Sequence, residues 1–214
     1  MHKTALVAGS SGLIGELLTT TLINENYYDE IILLVRKKNI FFQHPKIIQH
    51  EINFNSIAEL NIKANDVYCC LGTTIRKAGS KEEFYKVDCT YPFELAKMSL
   101  LNGAEEFHII SAMGANKESS IFYNKVKGEV EEKVKEVGFK SLFIYRPSIL
   151  IGDRKEFRLG EKIGIGLAKI FSFLIPKKYK AIDIHKIVNA MILNAKTEGL
   201  GIHILESDQL QTFN

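Results

Sequence analysis

A serine, a tyrosine and a lysine follow one predicted strand in an order that could move a proton. The strand ends at Ser111, and Tyr123 and Lys127 come later, on the next predicted helix. Residues four apart share one face of a helix, so the phenol and the ammonium can point together. An ammonium favours the phenolate form of a nearby phenol and so suits it to general acid–base catalysis. We expect Tyr123 to protonate a carbonyl oxygen, which Ser111 holds by a hydrogen bond.

A tyrosine four residues before a lysine is weak evidence by itself. The chain has 8 tyrosines, and only Tyr123 has a lysine at this distance. This match falls on the helix after the strand that ends in Ser111, which favours the catalytic interpretation. The alternative is a surface tyrosine and lysine on an amphipathic helix.

A glycine-rich loop joins the first predicted strand to the first predicted helix. Gly9 permits a tight turn, Gly12 removes a side chain where a pyrophosphate would approach, and Gly15 lets the helix pack close to the sheet. The helix N-terminus offers free N–H groups to the anion. The alternative is a glycine turn without a ligand. The predicted phosphate loop comprises Gly9, Ser10, Ser11, Gly12, Leu13, Ile14 and Gly15.

Basic residues follow the second predicted strand, where a choice between dinucleotides is usually made. An NAD site places an acidic residue there to bind the ribose 2′-hydroxyl. This chain has Arg36, Lys37 and Lys38 instead. Because a guanidinium can bind a 2′-phosphate with two hydrogen bonds, the sequence favours NADP(H) over NAD(H). The alternative is a solvated basic loop.

Two further loops lie where the rest of a dinucleotide would bind. Asn53 and Phe54 follow the third predicted strand, near the expected adenine. The fourth strand is followed by a loop in which Gly72 would allow close backbone approach. Each segment is equally compatible with an ordinary loop. The second loop comprises Leu71, Gly72, Thr73 and Thr74.

Apolar runs of strand length alternate with amphipathic stretches of helix length along the chain. This alternation predicts an α/β fold with a doubly wound parallel sheet, a Rossmann fold, as one domain over residues 1–214. The predicted strands are Thr4–Ala8, Glu30–Val35, Ile47–Ile52, Asp66–Leu71, Glu106–Ser111, Ser141–Arg146 and Ile202–Glu206. The predicted helices are Leu13–Glu25, Lys81–Asn102, Ser119–Val137, Lys162–Leu174 and His185–Ala195.

Composition narrows the class of protein. Of the 214 residues 46% are hydrophobic, enough for a full core, and the net charge of +3 comes without a basic tail that would suggest nucleic acid. The three cysteines form no C-x-x-C pair and the six histidines show no metal spacing, so no metal is expected. No leader pattern or membrane-length apolar run is present, and we expect a cytoplasmic protein.

These motifs resemble the short-chain dehydrogenase/reductase superfamily in its atypical or extended-type branch. The glycine loop, Arg36, Ser111, Tyr123 and Lys127 fall in the order that this superfamily uses. A further resemblance, to the Tat-interacting-protein-like NAD(P)-binding oxidoreductases, covers most of the chain. It rests on Cys69-Cys70-Leu71-Gly72-Thr73-Thr74, Lys77-Ala78-Gly79, Tyr123 with Lys127-Gly128-Glu129-Val130-Glu131, and Arg146-Pro147.

From its place on the helix, Lys127 is also expected to hold the nicotinamide ribose. The resemblance implies NADP binding and two further site features. Arg146, Pro147 and Ser148 would lead into the nicotinamide pocket. Val87 or Asp88 would lie near the active site, although classical members often carry an asparagine there. Some relatives in this branch bind NADPH and act as regulators, so the fold does not decide catalysis.

The short C-terminal part predicts a small substrate lobe at about residues 152–185. Its apolar segment 160–174 could be a mobile substrate lid, a subunit contact in a homodimer or, least favoured, a membrane-surface helix. The main hypothesis is an NADPH-dependent reductase of a small or medium carbonyl compound. The alternatives are an NADP(H)-binding regulatory or scaffold protein without turnover, and an epimerase or dehydratase that retains its cofactor.

Overall fold

A parallel β-sheet with helices on both faces forms the centre of the protein. The computed structural model describes residues 2–40, 42–152, 176–197 and 199–214. The strands are β1 (Thr4–Ala8), β2 (Glu30–Val35), β3 (Ile47–Glu51), β4 (Asp66–Cys69), β5 (Glu106–Ile110), β6 (Ser141–Arg146), β7 (Leu150–Ile151), β8 (Ile182–Asp183) and β9 (Gly201–Glu206). Seven of them form one sheet in the order β3-β2-β1-β4-β5-β6-β9, and β7 pairs with β8.

Every strand pair in the large sheet is parallel, as the continuous apolar runs predict. The order of the strands reverses between β1 and β4, and the carboxyl ends on either side of this point border a crevice. Ligands of doubly wound sheets bind in such a crevice. The predicted Rossmann architecture is therefore confirmed.

The helices form two layers over the sheet. They are α1 (Leu13–Asn24), α2 (Ile75–Ala78), α3 (Lys81–Tyr85), α4 (Tyr91–Leu101), α5 (Phe122–Lys135), α6 (Ile184–Lys196) and α7 (Ser207–Leu210). One π-helical turn, Lys86–Thr90, joins α3 to α4. On one face Leu18 of α1 packs in a core with Ile187 of α6. On the other face Leu95 of α4 packs with Val126 of α5.

A row of aromatic rings crosses the sheet within the α1–α6 layer. Tyr68, His108, Phe143 and His203 occupy paired positions on four neighbouring strands. Their ring centroids are 4.6 Å, 4.9 Å and 4.8 Å apart in that order, and the rings are stacked. The buried His108 ring also bonds to the hydroxyl of Tyr145 at 2.9 Å. This register ties the middle of the sheet to its β9 edge.

The observed elements differ from the predicted ones mainly at their ends. The strand predicted to reach Leu71 ends at Cys69, and the helix predicted from Ser119 begins at Phe122. The preceding loop lies directly on α5, since a Cβ added at Gly128 would come 2.1 Å from the amide nitrogen of Lys117. The predicted helix Lys162–Leu174 and most of the predicted substrate lobe lie outside the described residues.

None of the helices in the described ranges is long and apolar enough to cross a bilayer. The same ranges contain no group of His, Cys, Asp and Glu side chains that could bind a metal ion. All three cysteines are free, and Cys69 and Cys89 are buried among apolar side chains, as expected of small hydrophobic residues.

Candidate functional site

The glycine loop is so closely packed that two of its glycines have no room for a side chain. Gly9 has a φ of +91°, and a Cβ there would lie 2.5 Å from the carbonyl oxygen of Cys70, the residue after β4. A Cβ at Gly15 would lie 2.2 Å from the carbonyl oxygen of Gly9. The sequence predicted that Gly15 brings the helix close to the sheet, whereas the structure shows the contact to be with the loop itself.

The N-terminus of α1 presents backbone amides without a side-chain cap. Gly12, the residue before the helix, has no side chain that could cap the helix. Its own amide donates to the carbonyl oxygen of Gly9 at 3.0 Å. Ser11 and Gly12 are exposed, whereas Ser10 is buried. The first amides of a helix have no partner within the helix, so this end can accept an anion such as a diphosphate.

Arg36 lies just beyond the carboxyl end of β2, on the same edge of the sheet as the glycine loop. Its side chain is exposed and has no ion-pair partner within the part of the chain that the structure describes. Lys37 and Lys38 are also exposed. The guanidinium is therefore free to bind a phosphate at this edge.

The two other predicted cofactor loops are ordered by their own hydrogen bonds. Asn53 accepts from the amide of Asn55 at 3.0 Å and starts the 3₁₀ turn Phe54–Glu59, so its amide nitrogen is left for a ligand. The Phe54 ring lies 5.8 Å from that of Tyr91.

The loop after β4 contains one exposed glycine between ordered neighbours. Gly72 is exposed, and Leu71 before it packs against the core. The Thr74 hydroxyl accepts from the Lys77 amide and caps α2. The loop therefore exposes its backbone at Gly72, and the approach of a cofactor to it stays a prediction.

Tyr123 and Lys127 project from α5 beside the carboxyl ends of β4 and β5. The Tyr123 ring is half-buried, 5.7 Å from the Phe84 ring, and its hydroxyl bonds to no group among the described residues. Lys127 is buried, with its Nζ 3.5 Å from the carbonyl oxygen of Ile110 at the end of β5. The structure thus brings the predicted phenol and ammonium to one place on the helix.

Asp88 is the partner of Lys127. Its Oδ1 lies 2.8 Å from Lys127 Nζ, and its Oδ2 accepts from the amide of Thr73 at 2.9 Å. Asp88 is only 1% exposed. Burial lowers the pKa of Lys127, but Asp88, Tyr123 and Cys69 together outweigh burial and raise the pKa above its ordinary value of 10.5. Sequence reasoning noticed the aspartate as a departure from asparagine but did not foresee this ion pair.

Ser111 differs from its expected role. Its hydroxyl donates to Glu131, a buried residue one turn beyond Lys127 on α5. A hydroxyl has one proton to donate, so in this arrangement Ser111 has none for a substrate oxygen. The expected hydrogen bond from Ser111 to a carbonyl is corrected to a bond to Glu131. The available signal for this bond in the sequence was Glu131, the last residue of the run Lys127-Gly128-Glu129-Val130-Glu131.

Arg146 holds the same carboxylate. Its Nη2 and Nε lie 2.6 Å and 3.0 Å from the two Glu131 oxygens, and its Nη1 lies 2.9 Å from Glu206. These hydrogen bonds raise the pKa of Arg146 above its ordinary value. The guanidinium is thus bound by two carboxylates of the protein, and a contact of Arg146 with a cofactor stays a prediction.

The residues after Arg146 are also tied to neighbouring segments. Pro147 O accepts from the Met113 amide at 2.9 Å, and Ser207 donates to the Ser148 hydroxyl at 2.9 Å. Ser148 in turn donates to the carbonyl of Lys180. Val87 is half-buried next to Asp88. Contacts of these residues with a cofactor remain predictions.

Known proteins place this arrangement in a family. The rat protein HTATIP2 is 34% identical over 215 residues, which cover 96% of this chain and 87% of HTATIP2. The chain belongs to the HTATIP2 family. The mitochondrial protein FMP52 of Candida glabrata is 34% identical over 160 residues, 74% of this chain and 68% of FMP52. No protein-family model matches the sequence.

Solved structures with this fold include nucleotide-sugar enzymes and reductases. The Bordetella bronchiseptica enzyme WbmH, solved with NAD+, has a TM-score of 0.72 at 14% identity and covers 97% of this chain, 76% of its own. The dTDP-4-dehydrorhamnose reductase of Bacillus anthracis, solved with NADP, has a TM-score of 0.66 at 18% identity and covers 96% of this chain, 75% of its own. These similarities confirm the predicted Rossmann-like α/β fold.

The expectation of a cytoplasmic location is wrong by these comparisons. Relatives of this chain in Candida glabrata, Candida albicans and Emericella nidulans are named mitochondrial proteins. The inference failed because it rested only on the lack of a recognised leader pattern and of a membrane-length segment, and neither feature distinguishes the two compartments.

Proposed function

We propose that this protein is an NADP(H)-dependent oxidoreductase that reduces a small or medium carbonyl compound. The observation that carries the proposal is the Tyr123 hydroxyl, which is unbonded among the described residues and shares a helix face with the buried, charged Lys127. This pair lies at the carboxyl edge of the parallel sheet, where doubly wound folds bind ligands. Solved proteins of the same fold contain bound NAD or NADP.

The residues present fit a dinucleotide along this edge. Gly9 and Gly15 have no room for a Cβ, so only glycine permits this loop at these positions. The uncapped amides of α1 would hold the diphosphate. Arg36 would bind the 2′-phosphate, and Asn53 with Phe54 would border the adenine. Gly72 would allow the backbone to approach the dinucleotide. NADPH, when bound, supplies the hydride.

Tyr123 would supply the proton of the reduction. As the carbonyl carbon gains a hydride, its oxygen gains negative charge and takes the phenolic proton, which gives an alcohol. The charge of Lys127 favours the resulting phenolate. Ser111 would not donate to the carbonyl oxygen itself, since its proton is donated to Glu131, and it would act on the site only through that residue.

Oxidation of NADPH by wild type and Tyr123→Phe over a panel of aldehydes and ketones tests this role. Because the variant cannot donate a proton, we expect kcat/KM to fall at least about 100-fold while NADPH still binds. Tyr27→Phe is the matched control, since Tyr27 bonds to the carbonyl of Ala195, away from the site. Equal rates for wild type and Tyr123→Phe would refute the catalytic assignment.

A second candidate function is an NADP(H)-binding regulator without turnover. The observation that favours it is the Ser111 hydroxyl, which is donated to Glu131 instead of being free for a substrate oxygen. Under this alternative, wild type binds NADPH but oxidises it with none of the carbonyl compounds. Tyr123→Phe would then match wild type in every assay.

A further inference from the structure

Asp88 joins two parts of the site that are far apart in the sequence. One oxygen contacts the ammonium of Lys127 on α5, and the other accepts from the amide of Thr73 in the loop after β4. A carboxylate can accept from two donors at once, whereas an asparagine offers one oxygen and one donor nitrogen. The aspartate therefore gives Lys127 a charged oxygen to pair with and Thr73 an acceptor, whereas an asparagine has an acceptor oxygen for only one of the two.

The ammonium of Lys127 depends on this carboxylate. An isolated buried lysine loses its proton readily, because burial disfavours the charged form. The titratable groups that face Lys127 are Asp88, Tyr123 on its own helix, Cys69 on β4 and Cys89 next to Asp88. Burial raises the pKa of Cys69 to about 12 and also raises the pKa of Cys89, so the thiols do not supply a counter-charge at neutral pH.

We propose that Asp88 is a positioning residue of the proposed reaction. It keeps Lys127 charged beside Tyr123, and it holds the Gly72–Thr73 backbone close to α5, the helix that carries both side chains. Asp88 acts through Lys127 and the loop and need not touch the substrate. This inference rests on the proposed function for its purpose, but the ion pair can be tested without cofactor or turnover.

The cofactor-free test is the urea unfolding of Asp88→Asn at about pH 7 and about pH 9.5, both below the ordinary lysine pKa of 10.5. In the variant burial is no longer offset, so the folded-state pKa of Lys127 falls below its unfolded value. The variant then gains stability as pH rises, because the folded protein sheds a proton that the unfolded chain keeps. We expect the difference in urea midpoint between wild type and Asp88→Asn to be about half as large at the higher pH as at the lower pH.

Glu59→Gln, which removes an exposed carboxylate, is the control and should show no such recovery. The double variant Asp88→Asn/Lys127→Met should be more stable at neutral pH than Asp88→Asn, since no unpaired ammonium remains buried. If Asp88→Asn does not fold, folding of the double variant supports the proposal. A gap that is constant with pH, or a double variant no more stable than Asp88→Asn, would overturn it.

NADPH affinity gives the functional arm of the test. We expect the affinity of Asp88→Asn to fall at least about 10-fold more than that of wild type between the two pH values, as Lys127 loses its charge. Equal pH dependence in the two proteins would contradict the positioning role. Wild type that binds NADPH without turnover would refute the proposed reaction and leave the ion-pair result standing.

Discussion

Arg36 is the residue by which this protein would distinguish two nearly identical cofactors. Its guanidinium is exposed and has no ion-pair partner in the described chain. We expect Arg36→Glu to weaken NADPH binding by roughly 100-fold, through a lost charge-assisted bond and a new repulsion, and to leave NADH binding within about 3-fold. Calorimetric titration measures both. Lys38→Glu, which makes the same change of charge two residues away, should weaken NADPH binding much less. Equal losses of affinity would show that the effect comes from net charge and not from a specific contact of Arg36.

Glu131 is the buried acceptor for both Ser111 and Arg146. Replacing it with glutamine removes the charge opposite Arg146 and takes away one acceptor oxygen. We expect Glu131→Gln to lower the free energy of unfolding by about 2 kcal/mol, less than for a fully buried pair because Arg146 is partly exposed.

The control for Glu131 is its counterpart on β9. Glu206→Gln removes the more exposed partner of Arg146, so it should cost about 1 kcal/mol or less. Urea denaturation of both variants at neutral pH measures the difference. If Glu206→Gln costs as much as Glu131→Gln, the buried carboxylate is not the one that holds Arg146.

At the scale of elements, the contact between the glycine loop and α1 sets the shape of the proposed phosphate site. Gly15→Ala places a Cβ 2.2 Å from the Gly9 carbonyl, so the helix must shift. We expect a loss of about 1–3 kcal/mol in unfolding free energy, together with weaker NADPH binding.

Gly72→Ala separates crowding from cofactor contact. A Cβ at Gly72 would lie 3.6 Å from Asp88 Oδ1, an ordinary contact, so the stability of the variant should stay within about 0.5 kcal/mol of wild type. If the dinucleotide approaches this backbone, NADPH affinity should nevertheless fall. Unchanged affinity would show that Gly72 does not line the cofactor.

The sequence predicted the bounds of an element well where a continuous apolar run alone defines the element. β1 and β2 have the expected bounds because each is a continuous apolar run buried on both faces. The start of α5 was wrong because Ser119, a typical helix cap, instead accepts from the Ile121 amide in a turn. Periodicity says which residues face the core, but not where a hydrogen-bonded ladder or helix ends.

The candidate site was predictable only in part, for a related reason. Tyr123 and Lys127 share a helix, so their spacing fixes their common face. Asp88 and Glu131 find their partners across elements that meet only in the folded chain. No local pattern carries that information, and the direction in which Ser111 donates depends on it.

At the scale of the whole molecule, the row of rings across the sheet contains a histidine that folding keeps neutral. Burial lowers the pKa of His108 to about 3. The unfolded chain binds a proton below about pH 6.5 that the folded protein cannot take up, so this contribution to stability is present above pH 6.5 and lost as pH falls towards 3. The limiting slope is about 1.4 kcal/mol per pH unit.

Urea unfolding of wild type and His108→Gln across this range isolates the contribution of His108. We expect the two curves of stability against pH to converge as the pH falls, because the variant lacks the titrating group. His44→Gln, at an exposed histidine, should run parallel to wild type. Parallel curves for His108→Gln would contradict this, because they would show that His108 takes up a proton as readily in the folded protein as in the unfolded chain.

Binding of NADP(H) by the uncapped end of α1 together with the neighbouring Arg36 underlies the proposed function. Calorimetric titration of the purified protein with NADPH and with NADH tests it most directly. We predict saturable binding of NADPH at micromolar concentration and at least about 10-fold weaker binding of NADH. Absence of saturation with either dinucleotide at millimolar concentration, or equal affinity for both, would contradict the claim.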